Sequence, residues 1–228
     1  KVYVKNKSKA CDEVGIEYEE YILEENIKQE QLKNLIEKLN KDNTINGILL
    51  QSPLPANLDI NEAIKKIDYN KDVDGFHPMN IGKLVLGQDT FVSCTPYGIM
   101  RLFEEYKIEL SGKNVVILGR SNIVGKPLMQ CCINKNATVT VCHSKTKEIE
   151  QKEKEADILI TAIGKPNFIK AENVKKDAVI IDVGINRKNS RRCRLRRSLK
   201  KSKLYHTGTR GSRTNDNSNA HKQCNKGN

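Results

Sequence analysis

Val115-Val-Ile-Leu-Gly-Arg-Ser-Asn-Ile-Val-Gly-Lys-Pro127 is the stretch whose reading decides the fold. Val115 to Leu118 form a continuous apolar run, the pattern of a parallel strand covered on both faces. Gly119 lets the chain turn sharply, and Gly125 lets the next element start close to whatever occupies the turn. Pro127 suits the first turn of a helix, where no N–H is required of it. A helix N-terminus facing such a turn offers free N–H groups and the positive end of the helix dipole, an anion site. Arg120 adds a full charge. Two readings stay open on this stretch alone: a dinucleotide phosphate cradle, or an ordinary strand–turn–helix, because the spacing is not G-x-G-x-x-G.

Working outward, the same strand–helix alternation continues. Upstream, Cys94-Thr-Pro-Tyr-Gly98 opens a helix with Ile99, Leu102, Phe103 and Tyr106 on one side. Downstream, a helix to about Asn134 leads to a strand at 138–142, a polar helix near 148–154, and strands at 157–163 and 178–183. This order implies a parallel sheet with right-handed crossovers, with a ligand at the carboxyl ends of its strands. An NAD-specific site usually closes its second strand with an acid. Here that strand ends in Cys142-His-Ser-Lys145. Arg120, Ser144 and Lys145 suit a 2′-phosphate, so the pattern leans to NADP over NAD.

Before this block lies another. Tyr3, Lys7, Ala10, Cys11 and Val14 share one helical face, which places Lys7 on an apolar stripe. Gly15 ends that helix, and 16–22 reads as a strand. Leu32, Leu35, Ile36 and Leu39 mark an amphipathic helix. Residues 45–51 read as a second strand with Gln51 at its end, broken by Ser52-Pro-Leu-Pro55. A short helix carries Ile60, Ala63, Ile64 and Ile67, followed by a loop, Lys71-Asp-Val-Asp-Gly75.

Composition narrows the class. A chain of 228 residues fits one large domain or two small ones. No apolar run is long enough to span a membrane, and nothing at the start resembles a signal peptide. Seven cysteines without metal-ligand spacing fit reduced thiols of a cytoplasmic protein, with no metal expected. The net charge of +12 points at first to nucleic acid. Its distribution points elsewhere. Residues 188–228 carry thirteen Lys and Arg against one acid, Asp216, while residues 1–187 carry twenty-seven of each sign.

Seven pieces in order resemble the bifunctional methylenetetrahydrofolate dehydrogenase/methenyltetrahydrofolate cyclohydrolase family. They are Tyr3-Val-Lys-Asn-Lys7, Gly47-Ile-Leu-Leu-Gln-Ser-Pro-Leu-Pro55, Lys71-Asp-Val-Asp-Gly75, Cys94-Thr-Pro96, Gly119-Arg-Ser-Asn-Ile-Val-Gly-Lys-Pro127, Cys142-His-Ser-Lys145 and Ile181-Asp-Val-Gly-Ile-Asn186. Each is weak alone; seven in sequence are specific. The resemblance implies an α/β protein of two domains: a folate-binding catalytic lobe at 1–92 and a Rossmann-like NADP lobe at 93–187. It implies NADP-dependent oxidation of 5,10-methylenetetrahydrofolate, then hydrolysis of the methenyl product to 10-formyltetrahydrofolate. Lys7 matches the catalytic lysine, whose burial lowers its pKa toward a usable range. Without the resemblance a snorkelling lysine is the plainer reading. Tyr3 matches the tyrosine that stacks on the folate, Gln51 the residue that tunes the lysine, and Asp74 the carboxylate that grips the pterin N–H edge; Pro53 adjoins the substrate. Asp72 is the weaker acid and reads as a loop cap. Gly119, Arg120, Ser121, Gly125 and Ser144 match cofactor contacts, Thr95 lies toward the nicotinamide, and His143 reads as structural. Tetrahydrofolate derivatives are the implied partners, with a homodimer, no nucleic acid and no membrane. A monofunctional dehydrogenase of the same family is the alternative.

The chain departs from the family twice. The family's leading segment is absent before Tyr3, so the first block is expected to lose a strand and the 3–14 helix its cover. After Arg187 the family's usual G-D-V-D and P-V-P-G-G-V-G-P-M-T are missing. Yet Arg191-Arg-Cys-Arg194 can be encoded AGG-AGA-TGT-AGA, which read from the second base gives G-D-V-D. The codons of 207–216, read in that same frame, can give P-V-P-G-G-V-G-P-M-T. Residues 188–228 therefore read as an out-of-frame C-terminus with the slip near Arg187. The high charge and few apolar residues of this basic tail predict disorder. A nucleic-acid-binding arm is the rival reading.

Overall fold

Phase in the apolar residues builds the first lobe's helices. The computed structural model describes residues 10–165 and 168–183, together with the strands Lys203–His206 and Arg213–Asn215. α1 (Gln29–Lys41) buries Leu32 and Ile36. Its start is fastened by Gln31, whose Oε1 accepts the Lys28 N–H at 2.9 Å. α2 (Ile60–Lys66) is capped by Asp59, which accepts from the N–H groups of Asn61 and Glu62. The two helices are laced together at both ends. Gln29 exchanges two hydrogen bonds with the Asp59 backbone, and Asn40 donates to Lys66 O while accepting from Asp68 N. Beneath them Leu32, Ile36, Ile48, Ala63 and Ile67 form a small core.

Two expected strands of this lobe differ. Residues 16–22 form no strand: Ile16 and Ile22 stand 58% and 85% exposed. A strand is held by its neighbours, and no described segment lies alongside. Residues 45–51 retain only one parallel bridge, Ile48 to Asp72. The helix ending at Gly15 is present over residues 10–14, with Val14 69% exposed. A further helix, α3 (Pro78–Val85), was not announced by periodicity; Pro78 opens it and His77 Nδ1 caps it by accepting the Met79 N–H.

α4 (Cys94–Glu105) buries Ile99, Leu102 and Phe103, as its spacing predicts. The strand–helix alternation follows: β1 (Asn114–Leu118), α5 (Gly125–Ile133), β2 (Thr138–Cys142), α6 (Ile149–Glu155), β3 (Ile158–Thr161) and β4 (Val179–Asp182). The sheet order begins β2-β1-β3-β4, all parallel, so the chain reverses direction of winding at β1. Alternate residues of β1 feed opposite cores. Val115 and Ile117 pack with α4 and α5, and Val116 and Leu118 pack with Ala156, Ile169 and Ile180 on the other face.

The polar helix α6 holds one surprise. Glu153 is 2% exposed, its carboxyl bonded to the Asn173 side chain, and burial pushes its pKa up. Burial likewise pushes the Cys131 thiol up to about 11 and Cys132 to about 12, so both stay protonated and apolar in character. No helix among the described residues is long and apolar enough to cross a membrane.

Within the basic tail, β5 (Lys203–His206) adds parallel to β4, and β6 (Arg213–Asn215) adds antiparallel to β5. Leu204-Tyr205 is the only adjacent pair of hydrophobic residues in 188–228, which gives that spot β-forming character. The remainder of 188–228 lies outside the described residues.

Candidate functional site

The Gly119–Gly125 turn is built as its sequence requires, and for a local reason. Gly119 has φ of 122°, and a Cβ there would stand 2.8 Å from Ala162 O. A Cβ on Gly125 would meet Gly119 O at 2.1 Å. Both glycines are thus demanded by the turn's own backbone, before any ligand is considered. Ser121 closes the turn: its Oγ accepts from Val124 N at 3.2 Å and Gly125 N at 3.4 Å. The hydroxyl hydrogen is left to donate toward an anion. Gly119 N donates to Cys142 O at 2.8 Å, which fastens the carboxyl end of β1 to that of β2. Arg120 and the loop carrying Ser144 and Lys145 are thereby neighbours, all three with exposed side chains.

A chain of contacts carries this cradle to the first lobe. Ser93, 3% exposed, donates from Oγ to Ile123 O at 3.0 Å. Ser93 precedes α4, whose first turn holds Thr95. Gly75, at φ of 68°, packs so closely on this segment that a Cβ would lie 2.5 Å from Phe91 O. Gly75 is the residue after Asp74. The parallel bridge between Ile48 and Asp72 sets Gln51 and Asp74 at the same end of the paired segments. Three local links thus run from the segment of Gln51 and Asp74, through that of Thr95, to the glycine turn. Pro53 follows Gln51 on an exposed segment, and Gln51 Nε2 donates to Ser52 O at 2.9 Å. Tyr3 and Lys7 lie outside the described residues.

The two acids of the Lys71–Gly75 loop differ in burial. Asp72 is 2% exposed and accepts from His77 N at 2.7 Å and Asn80 Nδ2 at 3.0 Å, so it holds the loop shut. Asp74 is half-buried. Lys71 is a role the sequence reading missed. Its Nζ donates to the carbonyls of Leu39, Asn40 and Asp42, capping the C-terminal end of α1. Carbonyls at a helix end favour a cation, but only the fold shows which lysine answers.

A dinucleotide fits this set. The turn after β1 presents a hydroxyl donor and a guanidinium, the turn after β2 a hydroxyl and an ammonium, and residues 143–147 contain no acid to repel a 2′-phosphate.

Comparison with known proteins gives two matches along the chain. Residues 1–74 match the catalytic-domain model of tetrahydrofolate dehydrogenase/cyclohydrolase. Residues 93–200 match that family's NAD(P)-binding-domain model. The bifunctional protein FolD of Campylobacter hominis is 57% identical over 185 residues, covering 81% of this chain and 65% of the relative. The chain thus spans a little under two thirds of that relative's length. The crystal structure of the bifunctional FolD of Campylobacter jejuni superposes with a TM-score of 0.86 at 44% identity, covering 92% of this chain and 76% of that one. A FolD from Trypanosoma brucei, solved with NADP and an inhibitor, gives 0.81 at 30% identity, with 92% and 75% covered.

Proposed function

The chain belongs to the tetrahydrofolate dehydrogenase/cyclohydrolase family, and from that premise we propose that it oxidises 5,10-methylenetetrahydrofolate and hydrolyses the methenyl product to 10-formyltetrahydrofolate. NADP, when bound, supplies the hydride acceptor. The observation that carries the reading is the linkage of two half-sites: the cradle at Gly119–Gly125 is tied through Ser93 to the segment that seats Asp74 and Gln51.

The chain's own residues divide the work. Gly119 and Gly125 shape the turn; Arg120, Ser121 and Ser144 hold phosphate oxygens by charge-assisted hydrogen bonds. Thr95, at the start of α4, borders the nicotinamide. Asp74 grips the pterin N–H edge, Pro53 borders it, and Tyr3 stacks on the ring. Lys7 moves the proton of the hydrolytic step, and Gln51 orients its amine by hydrogen bonding. The acid-poor turn after β2 favours NADP over NAD. The implied quaternary state is a homodimer, and the implied compartment the cytoplasm.

The test is a purified-enzyme assay of both steps. Reduced cofactor should form on adding methylenetetrahydrofolate and NADP, and methenyltetrahydrofolate should disappear faster than in buffer. Reduction without hydrolysis would instead establish the monofunctional dehydrogenase. In a chain active for both, Lys7→Met should abolish hydrolysis while NADP still binds; hydrolysis that survives removes Lys7 from the reaction.

A further inference from the structure

The turn after β2 is more tightly tied than cofactor contact alone requires. Thr146 N donates to His143 O at 2.9 Å. His143 N donates to Thr146 Oγ1 at 2.9 Å. Lys145 N donates to His143 Nδ1 at 3.1 Å. One four-residue turn thus holds three internal hydrogen bonds, two of them made by the side chains of His143 and Thr146. The side chains between them, Ser144 and Lys145, make none of these bonds and stand exposed. The turn's base is anchored by Gly119 N to Cys142 O, which brings Arg120 alongside.

From this geometry we infer that His143 and Thr146 are positioning residues that hold Ser144 and Lys145 in place for a 2′-phosphate, and so set the preference for a phosphorylated ribose. The inference rests on the proposed cofactor. An exposed four-residue turn without side-chain ties samples many conformations, and a ligand that needs one of them must order the rest. A turn ordered beforehand lowers that cost. His143 does this as a neutral ring: Nδ1 accepts from the backbone, which places the ring proton on Nε2. The ring thereby takes the part that an Asn side chain plays in an Asx turn, accepting from the N–H two residues on. That equivalence defines the discriminating variant.

The experiment is calorimetric titration of the full chain with adenosine 2′,5′-bisphosphate and with 5′-AMP. The wild type should bind the bisphosphate more tightly. His143→Ala should weaken the bisphosphate by about fivefold, the share of one net hydrogen bond, and leave 5′-AMP within about twofold. His143→Asn, whose Oδ1 can accept from Lys145 N, should restore the wild-type ratio. Thr146→Val should behave as the alanine variant and Thr146→Ser as wild type. Thermal melts of all four check that each is folded, and the Asn and Ser variants keep the comparison usable should an apolar one unfold. An unchanged ratio in His143→Ala, or failure of Asn to rescue a lowered one, overturns the positioning role. A wild type that does not prefer the bisphosphate removes the NADP reading itself, a result distinct from the first two because it appears before any substitution.

Discussion

Glycine shows how differently one residue type can be constrained in one chain. Gly125 faces Gly119 O at a distance no Cβ tolerates, whereas a Cβ on Gly82, inside α3, would meet nothing within 4 Å. Gly125→Ala should therefore cost about 2 kcal/mol or more through forced displacement of the turn. Gly82→Ala should gain about 0.5–1 kcal/mol by removing helix-interior backbone freedom. Urea denaturation of the two variants checks both signs. At this scale the sequence was partly legible. Gly119 and Gly125 could be marked as structurally required, but the backbone each faces, Ala162 O for Gly119 and Gly119 O for Gly125, is something spacing cannot reveal. Asp72 and Asp74 could be ranked as cap and candidate ligand only through the family resemblance. Lys71 could not be read, since its three carbonyl partners lie about thirty positions upstream and meet it only when α1 is packed.

At the scale of elements, what was legible was whatever declares itself locally. α1, α2, α4 and β1 through β4 follow from periodicity and apolar runs, with ends displaced by a residue or two. The 16–22 strand failed because a strand is a pairwise object, and its sequence contains no record of whether a neighbour is there. α3 was hidden by its shortness and by a proline that signals a break as readily as a start. α6 looked wholly polar, yet its Glu153 is buried against Asn173. Burial raises that carboxyl above its ordinary 4.5, with Glu150 adding to the rise and Asn173 and Lys170 opposing it. Below 4.5 the group is protonated in folded and unfolded chains alike, so it adds no pH dependence there. As pH climbs from 4.5 through the raised value, the unfolded chain releases the proton first, and folded stability declines. Glu153→Gln keeps the contact with Asn173 without the charge. Its melting temperature should exceed the wild type's at neutral pH, with the gap closing on acidification; a gap that is constant with pH would show that the charge is not the cause. The cap on α1 gives a second prediction at this scale. Lys71→Met should cost about 1–2 kcal/mol, because it strips a charged donor from helix-end carbonyls. Faster amide exchange confined to the last turn of α1 would locate the loss.

For the whole molecule, the decisive feature is the change in charge after Arg187. The body is electrically balanced, with twenty-seven basic and twenty-seven acidic residues over 1–187. An evolved nucleic-acid arm would add its charge for a purpose, and its affinity would fall steeply with salt as bound counterions are displaced. An out-of-frame segment would carry the same charge only as a by-product of purine-rich codons. The two accounts differ in what the DNA must say. Sequencing the coding strand across codons 183–194 and on to the stop should reveal one base gained or lost, with G-D-V-D and P-V-P-G-G-V-G-P-M-T in the adjacent frame. Codons incompatible with that frame would end the account and leave the arm as an element in its own right. The protein gives an independent reading. If the tail is adventitious, the restored-frame chain should melt higher than this one. DNA binding by the present chain should then be weak, indifferent to sequence, and abolished by deleting 188–228. Tight binding that selects one sequence over another would assign the arm a function, because charge acquired by a slipped frame holds no base-reading geometry.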